Sequence, residues 1–257
     1  MKRHWKNGLL VLALLAGVAL AQDPWSREGT ISTDLRSYAE FAFTRIIFKS
    51  GYQPLPGPGN TAWRDWPEAD MHFIRGVRRL TAVDIEDQSR AIRLTDEQLF
   101  DRPWIYAVEV GYWYLNEQEA ARMRDYLLRG GFLMVDDFHG TYEWASFVAS
   151  MEKVFPDRPI VDIPEQDEAF HVHYDLDHRI QIPSRMYSYT GQTWEKGGFT
   201  PHWRGIYDDD GRLMVAINHN MDIGDAWEHA DWPDYPENMT ALAYRFGINY
   251  LIYAMTH

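Results

Sequence analysis

Three short apolar runs, each ending abruptly in polar side chains, do most to limit the folds open to this chain. They are Trp104-Ile105-Tyr106-Ala107-Val108, Phe132-Leu133-Met134-Val135 and Leu213-Met214-Val215-Ala216-Ile217. Runs this short, with no alternating polar residue, suit strands buried on both faces, as in a parallel sheet covered by helices. Helical patterns lie between and around them. Asn116 and Glu119 form a capping-box pair, and Leu115 is placed to staple onto Ala120. Ala120, Met123 and Leu127 then recur at helical spacing until Gly130 and Gly131 end the pattern. Pro67 opens another helix that runs to Leu80, with Arg75, Arg78 and Arg79 suiting its negative C-terminus. Tyr142 to Val154 and Thr240 to Met255 read as further helices, and Thr44 to Phe48 and Ile160 to Ile163 as further strands. The alternation predicts an α/β fold, three layers deep, around a mostly parallel sheet.

The chain begins with Lys2, Arg3 and Lys6, then an apolar run from Leu9 to Leu20, then Ala19-Leu20-Ala21. That order predicts a secretory signal over residues 1–21, too short in its apolar part for a stable membrane span. A linker is expected over 22–40 and a single domain over 41–257. The Gly51–Asn60 stretch, rich in Gly and Pro, reads as a loop, and Glu165 to Gly198 as a long irregular region. The expected location is periplasmic or extracellular. With no cysteine, disulfides and thiol nucleophiles are both excluded. Loss of Lys2, Arg3 and Lys6 with the signal would take the formal charge from −13 to −16. Such a field repels nucleic acid and anionic membrane surfaces and tolerates a bound cation.

In sheets of this kind, ligands meet the crevice beyond the carboxyl ends of the strands. Val108 leads there to Glu109, Val135 to Asp136-Asp137-Phe138-His139, and Ile217 to Asn218-His219-Asn220-Met221-Asp222. Asp137 and His139 are the candidate catalytic groups, while Asp136, Asn218, Asn220, Asp222, Asp225, Trp227 and Glu228 are candidate ligand contacts. Adjacent strand residues face opposite ways, so one of Asp136 and Asp137 is expected to cap the helix at Tyr142 and the other to face the crevice. Asn218 to Glu228 resembles the start of a calcium loop. It departs from the EF-hand pattern where Ile223 replaces the required glycine and Glu228 comes one position early. Asn220, Asp222, Asp225 and Glu228 remain candidates for a looser hard-cation site. His171 and His173 would share one side of a strand and have the spacing to hold zinc with Asp175 or Asp177. A divalent cation is the only cofactor these clusters suggest. Trp63, Trp66, Trp194, Trp203, Trp227 and Trp232 stand in polar surroundings where exposed rings would stack on sugars or a partner protein.

The stretches NEQEAARMRDYL, LRGGFLMVDDFHGTYEW, NHNMDIGDAWEHADWPDYP and AYRFGINYLIYAMTH resemble the bacterial family known as domain of unknown function 4159, from about Phe41 onward. The resemblance implies a flavodoxin-type α/β fold of the class I glutamine amidotransferase-like kind, usually exported or membrane-anchored, with no activity attached. In the amidotransferases a cysteine occupies a sharp strand-to-helix turn. The corresponding turn here falls near Asp137 to Gly140 and carries none, so glutaminase chemistry is excluded. Sequence motifs for an esterase elbow, a Walker loop, a dinucleotide fingerprint and an H-E-x-x-H zinc helix are absent as well. The expectation is a non-glutaminase module of the cell envelope that binds a ligand, a glycan or an envelope protein. The alternatives are a carboxylate- or metal-dependent hydrolase acting on a carbohydrate or amide, and a scaffold subunit of an envelope assembly. In the hydrolase, Asp137 would be the base, His139 an acid or metal ligand, and Asp222, Asp225 or Glu228 the second carboxylate.

Overall fold

A computed structural model describes residues 39–50 and 64–257. The signal, nearly all of the linker, the Gly51–Asn60 loop and Trp63 lie outside the described residues. Seven strands form one sheet: β1 (Thr44–Ile47), β3 (Arg90–Arg93), β4 (Trp104–Val108), β6 (Phe132–Asp136), β7 (Val161–Asp162), β8 (His202–Tyr207) and β9 (Leu213–His219). Their spatial order is β3-β1-β4-β6-β9-β8-β7. The first five are parallel, and β8 alone is reversed against β9 and β7. A small antiparallel pair, β2 (Lys49–Ser50) with β5 (Trp113–Tyr114), ties the chain beyond β1 to the chain beyond β4.

Helices cover both faces, which is why the central strands carry apolar residues at every position. Tyr106, Val108, Phe132 and Met134 pack toward α1 (Glu68–Leu80), α5 (Ile223–Glu228) and α6 (Glu237–Thr256). The alternate residues Ile105, Ala107, Leu133 and Val135 pack toward α2 (Glu117–Leu128) and α3 (Gly140–Val154). The capping box of α2 is present: Glu119 N–H donates to Asn116 Oδ1 (2.9 Å), and Asn116 N–H donates to Glu119 Oε2 (3.0 Å). Among the described residues, no helix is long and apolar enough to cross a membrane.

Several elements differ from expectation. Strands β3 and β8 carry no apolar run; Arg90 and Arg93 flank one, and the other reads HWRGIY. β8 is held by its hairpin, where Asp208 Oδ1 accepts the Asp210 and Arg212 N–H groups and Gly211 takes a φ of 82°. The strand expected over Ile160–Ile163 shrinks to two exposed edge residues, and α3 starts at Gly140 rather than Tyr142. The region 163–201 holds a 3-10 turn (Glu168–Phe170) and a single helical turn, α4 (Tyr187–Thr190). Side-chain amides pin it down. Gln181 donates to the carbonyls of Gly198 and Asn220 (2.8 Å each), and Asn249 of α6 donates to those of Ala169 and Tyr174.

One ion pair is sealed between β1 and α1. Arg45 Nε donates to Asp70 Oδ1 at 2.7 Å, with both side chains almost wholly buried, and Arg45 Nη1 donates to the Arg64 carbonyl (3.0 Å). Removing one partner of such a pair strands a charge at low dielectric, whereas replacing both with apolar groups does not. Arg45→Met should therefore lower stability by about 3 to 5 kcal/mol. The double variant Arg45→Met, Asp70→Leu should recover a large part of that loss in urea denaturation. Strictly additive losses in the two variants would contradict a buried ion pair.

Candidate functional site

Each central strand leaves the sheet through a non-glycine residue in the left-handed region. Glu109 follows β4 (φ 52°), Asp137 follows β6 (φ 50°) and Asn220 follows β9 (φ 64°); Asp65, just ahead of α1, is alike (φ 61°). The conformation costs an L-residue about 1 to 2 kcal/mol, least for Asp and Asn. It persists where surrounding contacts impose it. Here the turns are laced together. Glu109 N–H donates to the Asp136 carbonyl, Asp137 N–H to that of Met221, and Asn220 N–H to that of Phe138. The four turns thus meet at the carboxyl end of the sheet.

The side chains they deliver are mostly acids. Asp65, Glu109, Asp136, Asp137, Asp222 and Asp225 are each at most 8% exposed. Asp136 closes β6 on the α1 face, and its Oδ2 accepts the N–H groups of Ile223 (2.7 Å) and Gly224 (3.0 Å). Neither Asp136 nor Asp137 caps α3, contrary to expectation. Asp136 instead caps α5, and the backbone N–H of His139, the residue preceding α3, is taken by Glu143 Oε2 (2.6 Å). Asp137 Oδ1 lies 3.2 Å from His139 Nε2. Asp222 Oδ1 accepts the Asp225 N–H (2.8 Å), and Asp225 Oδ2 accepts that of Arg185 (2.7 Å). Glu228 Oε2 and Asp225 Oδ1 both approach His229 Nε2, at 3.4 and 3.8 Å.

Other expected contacts have structural duties. Asn218 is fully buried, donating to the Val135 carbonyl and accepting from the Tyr250 hydroxyl. Asn220 accepts the Gly140 N–H (2.8 Å) and donates to the Thr200 carbonyl (2.7 Å), fastening region 163–201 to the head of α3. Trp227, expected at the surface, is a core residue with no exposure, 4.4 Å from the Phe73 ring centre. Trp66, Trp194, Trp203 and Trp232 are half-buried, and Trp203 stacks on Phe246. His171 and His173 stand in a bend, not a strand; His171 bonds the Glu165 carbonyl and Asp175, while the exposed His173 lies against Tyr174.

Among the described residues, two groups bring ligand atoms from three residues within 4.8 Å of one another. One is Asp225, Glu228 and His229; the other is Asp65, Asp137 and Asp222. The Asp222, Asp225, Glu228 candidate set is therefore divided between them. Asp65 escaped sequence reading because it precedes a helix far from any apolar run. Its only signal was a carboxylate between Trp63 and Trp66 beside a helix-opening Pro67.

Burial governs the electrostatics. It pushes the Asp136 carboxyl up to about 6, with partial relief from the Ile223 and Gly224 amides and from the Tyr106 hydroxyl, which lies close without a well-aligned hydrogen bond. Asp65, Asp137 and Asp222 rise well above the ordinary value, first through burial and then through neighbouring acids. Glu109 rises too, although Arg64 beside it opposes the shift. His139 is lowered by burial. Both shifts favour the neutral forms, which weakens the ion-pair character of the Asp137–His139 contact. The cations nearby are already engaged: Arg45 by Asp70, Arg64 by Glu109 (2.9 Å) and Lys196 by Glu143 (2.7 Å).

A carboxyl whose pKa is raised by folding holds its proton more tightly in the folded state. Its contribution to stability is complete below the unfolded value and is lost as pH rises through the folded one. For Asp136 that window runs from 3.8 to about 6, and Asp65, Asp137 and Asp222 extend it upward. His139 and His219, lowered by burial, contribute in the opposite sense, so the test is a comparison with Asp136→Asn, which keeps an acceptor for both amides. In chelator, the melting temperature of the wild type relative to that variant should fall between pH 5 and pH 8. A difference that stays constant or grows over that range would refute the assignment.

A family model described as Domain of unknown function (DUF4159) matches residues 51–255, starting a little inside the Phe41 boundary expected from sequence. A comparison with curated proteins finds no match. The family match covers both strand-end clusters and most of the chain, and the chain belongs to the family of the domain of unknown function DUF4159.

Proposed function

We propose that this protein is an exported ligand-binding module of the cell envelope whose ligand sits in the crevice at the strand ends. The observation that carries the reading is the convergence there of buried acids from four separate chain segments. Structural acids are seldom collected this way, because each added carboxylate raises the cost of the others. The parallel strands β3-β1-β4-β6-β9 have the order 2-1-3-4-5, which supports a flavodoxin-like scaffold. In that order the ligand crevice opens between β1 and β4, where Arg64, Asp65 and Glu109 stand. Export rests on the basic start and apolar run of residues 1–21. Kinship with class I amidotransferases is supported by Asp137, which occupies a left-handed strand-to-helix turn of the kind where those enzymes place cysteine.

Arg64 and Lys196 line the rim with side chains 54% and 41% exposed. They offer hydrogen-bond donors to a polar ligand, such as an envelope glycan, above the acids. Calorimetric titration of the whole protein with envelope glycan fragments should give saturable binding. Asp137→Asn should weaken it at least about tenfold with little change in melting temperature, since Asn tolerates a φ of 50° as well as Asp. Unchanged affinity in that variant, or no response to any fragment, would rule the reading out.

A second reading, hydrolysis of a carbohydrate or amide, is favoured by one contact. Asp137 Oδ1 and His139 Nε2 stand 3.2 Å apart on the turn after β6, which is within reach for proton transfer. On that reading Asp137→Asn and His139→Gln each lower kcat by about 100-fold or more while the fold is retained. Binding without turnover would leave the first reading standing alone.

A further inference from the structure

We infer that Asp65, Asp137 and Asp222 together hold one hard divalent cation at the floor of the crevice. The inference rests on the binding reading above and names what completes that site. One carboxylate oxygen from each residue lies within 4.8 Å of the other two. Ligands opposite one another on a cation are about 4.2 Å apart for magnesium and about 4.8 Å for calcium, twice the usual metal–oxygen distances. Three ligands cannot all stand opposite one another, and neighbours on one ion are about 3 to 3.5 Å apart, so side-chain rotation would draw these oxygens slightly closer to share it. An all-carboxylate donor set, completed by water, suits magnesium, manganese or calcium rather than zinc.

A second observation separates this group from an ordinary acidic patch. Asp65 is 7% exposed, and its Oδ2 is buried with no hydrogen-bond partner. A Cβ on Gly224 would come within 2.5 Å of Asp65 Oδ2 and 2.8 Å of Tyr106 Oη, so both oxygens lie against the bare face of that glycine. Asp137 and Asp222 each commit one oxygen, to His139 and to the Asp225 N–H, and keep the other. The surrounding cations are occupied elsewhere, with Arg45 on Asp70, Arg64 on Glu109 and Lys196 on Glu143. The site has acceptors in excess and too little positive charge. A divalent ion supplies what is missing.

The test uses the full chain, stripped with EDTA and dialysed. Manganese binding is followed by the loss of the free-ion spin-resonance signal, and magnesium and calcium binding by calorimetry. The wild type should bind one equivalent, and its melting temperature should rise with the logarithm of cation concentration. Asp65→Asn and Asp222→Asn should each weaken binding at least tenfold. Asn retains the left-handed turn at 65 and the capping oxygen at 222, so both variants are expected to fold. Asp210→Asn, at the exposed hairpin turn at the opposite end of β9, should bind as the wild type does. Wild-type affinity in the Asp65 and Asp222 variants, or no uptake of any of the three ions, would overturn the site. Uptake lost only in His229→Gln would overturn it in favour of the Asp225–Glu228–His229 cluster. Glycan binding that persists in EDTA would sink the cation and spare the binding reading. Loss of both would sink both.

Discussion

Carboxylates buried together at one end of a parallel sheet are the constraint to which the rest of this molecule answers. In a medium of low dielectric, each of Asp65, Asp136, Asp137 and Asp222 raises the free energy of ionising the others. The fold offsets this with what it has at hand. Two amides at the start of α5 meet Asp136, and the Arg45–Asp70 pair holds a fixed positive charge nearby. Neither reaches Asp65 Oδ2. The aromatic layer beneath, with Tyr106 and Trp227 against Phe43 and Phe73, keeps the floor dry and makes the charge more consequential.

Backbone shape and electrostatics reinforce one another at the turns. A left-handed exit bends the chain sharply, so the side chain after each strand returns over the crevice instead of running on into a helix. Asp and Asn adopt that bend most readily, and the same residues bring oxygen ligands. Close packing then locks the turns. Gly140, at a φ of 69°, lies where a Cβ would meet the Lys196 carbonyl at 2.2 Å, and a Cβ on Gly198 would meet Asn220 Oδ1 at 2.2 Å. Region 163–201, irregular by any secondary-structure measure, is thereby the clamp that fixes the heads of β9 and α3.

What the sequence made legible follows from which forces act locally. The runs at Trp104, Phe132 and Leu213 announce strands because both faces are buried, and the α2 capping box is written within four residues. The arrival of Glu109, Asp137 and Asp222 at one end of the sheet followed from those strands. β8 was not legible, since a reversed edge-side strand is fixed by its hairpin and its neighbour rather than by its own hydropathy. Asp65 was not legible either. Its place depends on α1 docking against α5, a contact between segments at least 143 residues apart (Leu80 to Ile223). Trp227 misled because its polar neighbours in sequence cap and line α5, while the ring itself turns inward to Phe73.

The same electrostatics bears on whether this crevice can do chemistry. Burial and the acids around it bias Asp137 toward its neutral form, and burial does the same for His139. A protonated carboxyl is neither nucleophile nor base and serves instead as a proton donor. A divalent ion beside Asp65, Asp137 and Asp222 would reverse the sign of the local field and favour the ionised carboxylate. Binding and catalysis are then not independent readings of the site. A cation there would hold Asp137 ionised, and the charge state of Asp137 sets whether it can serve as a base.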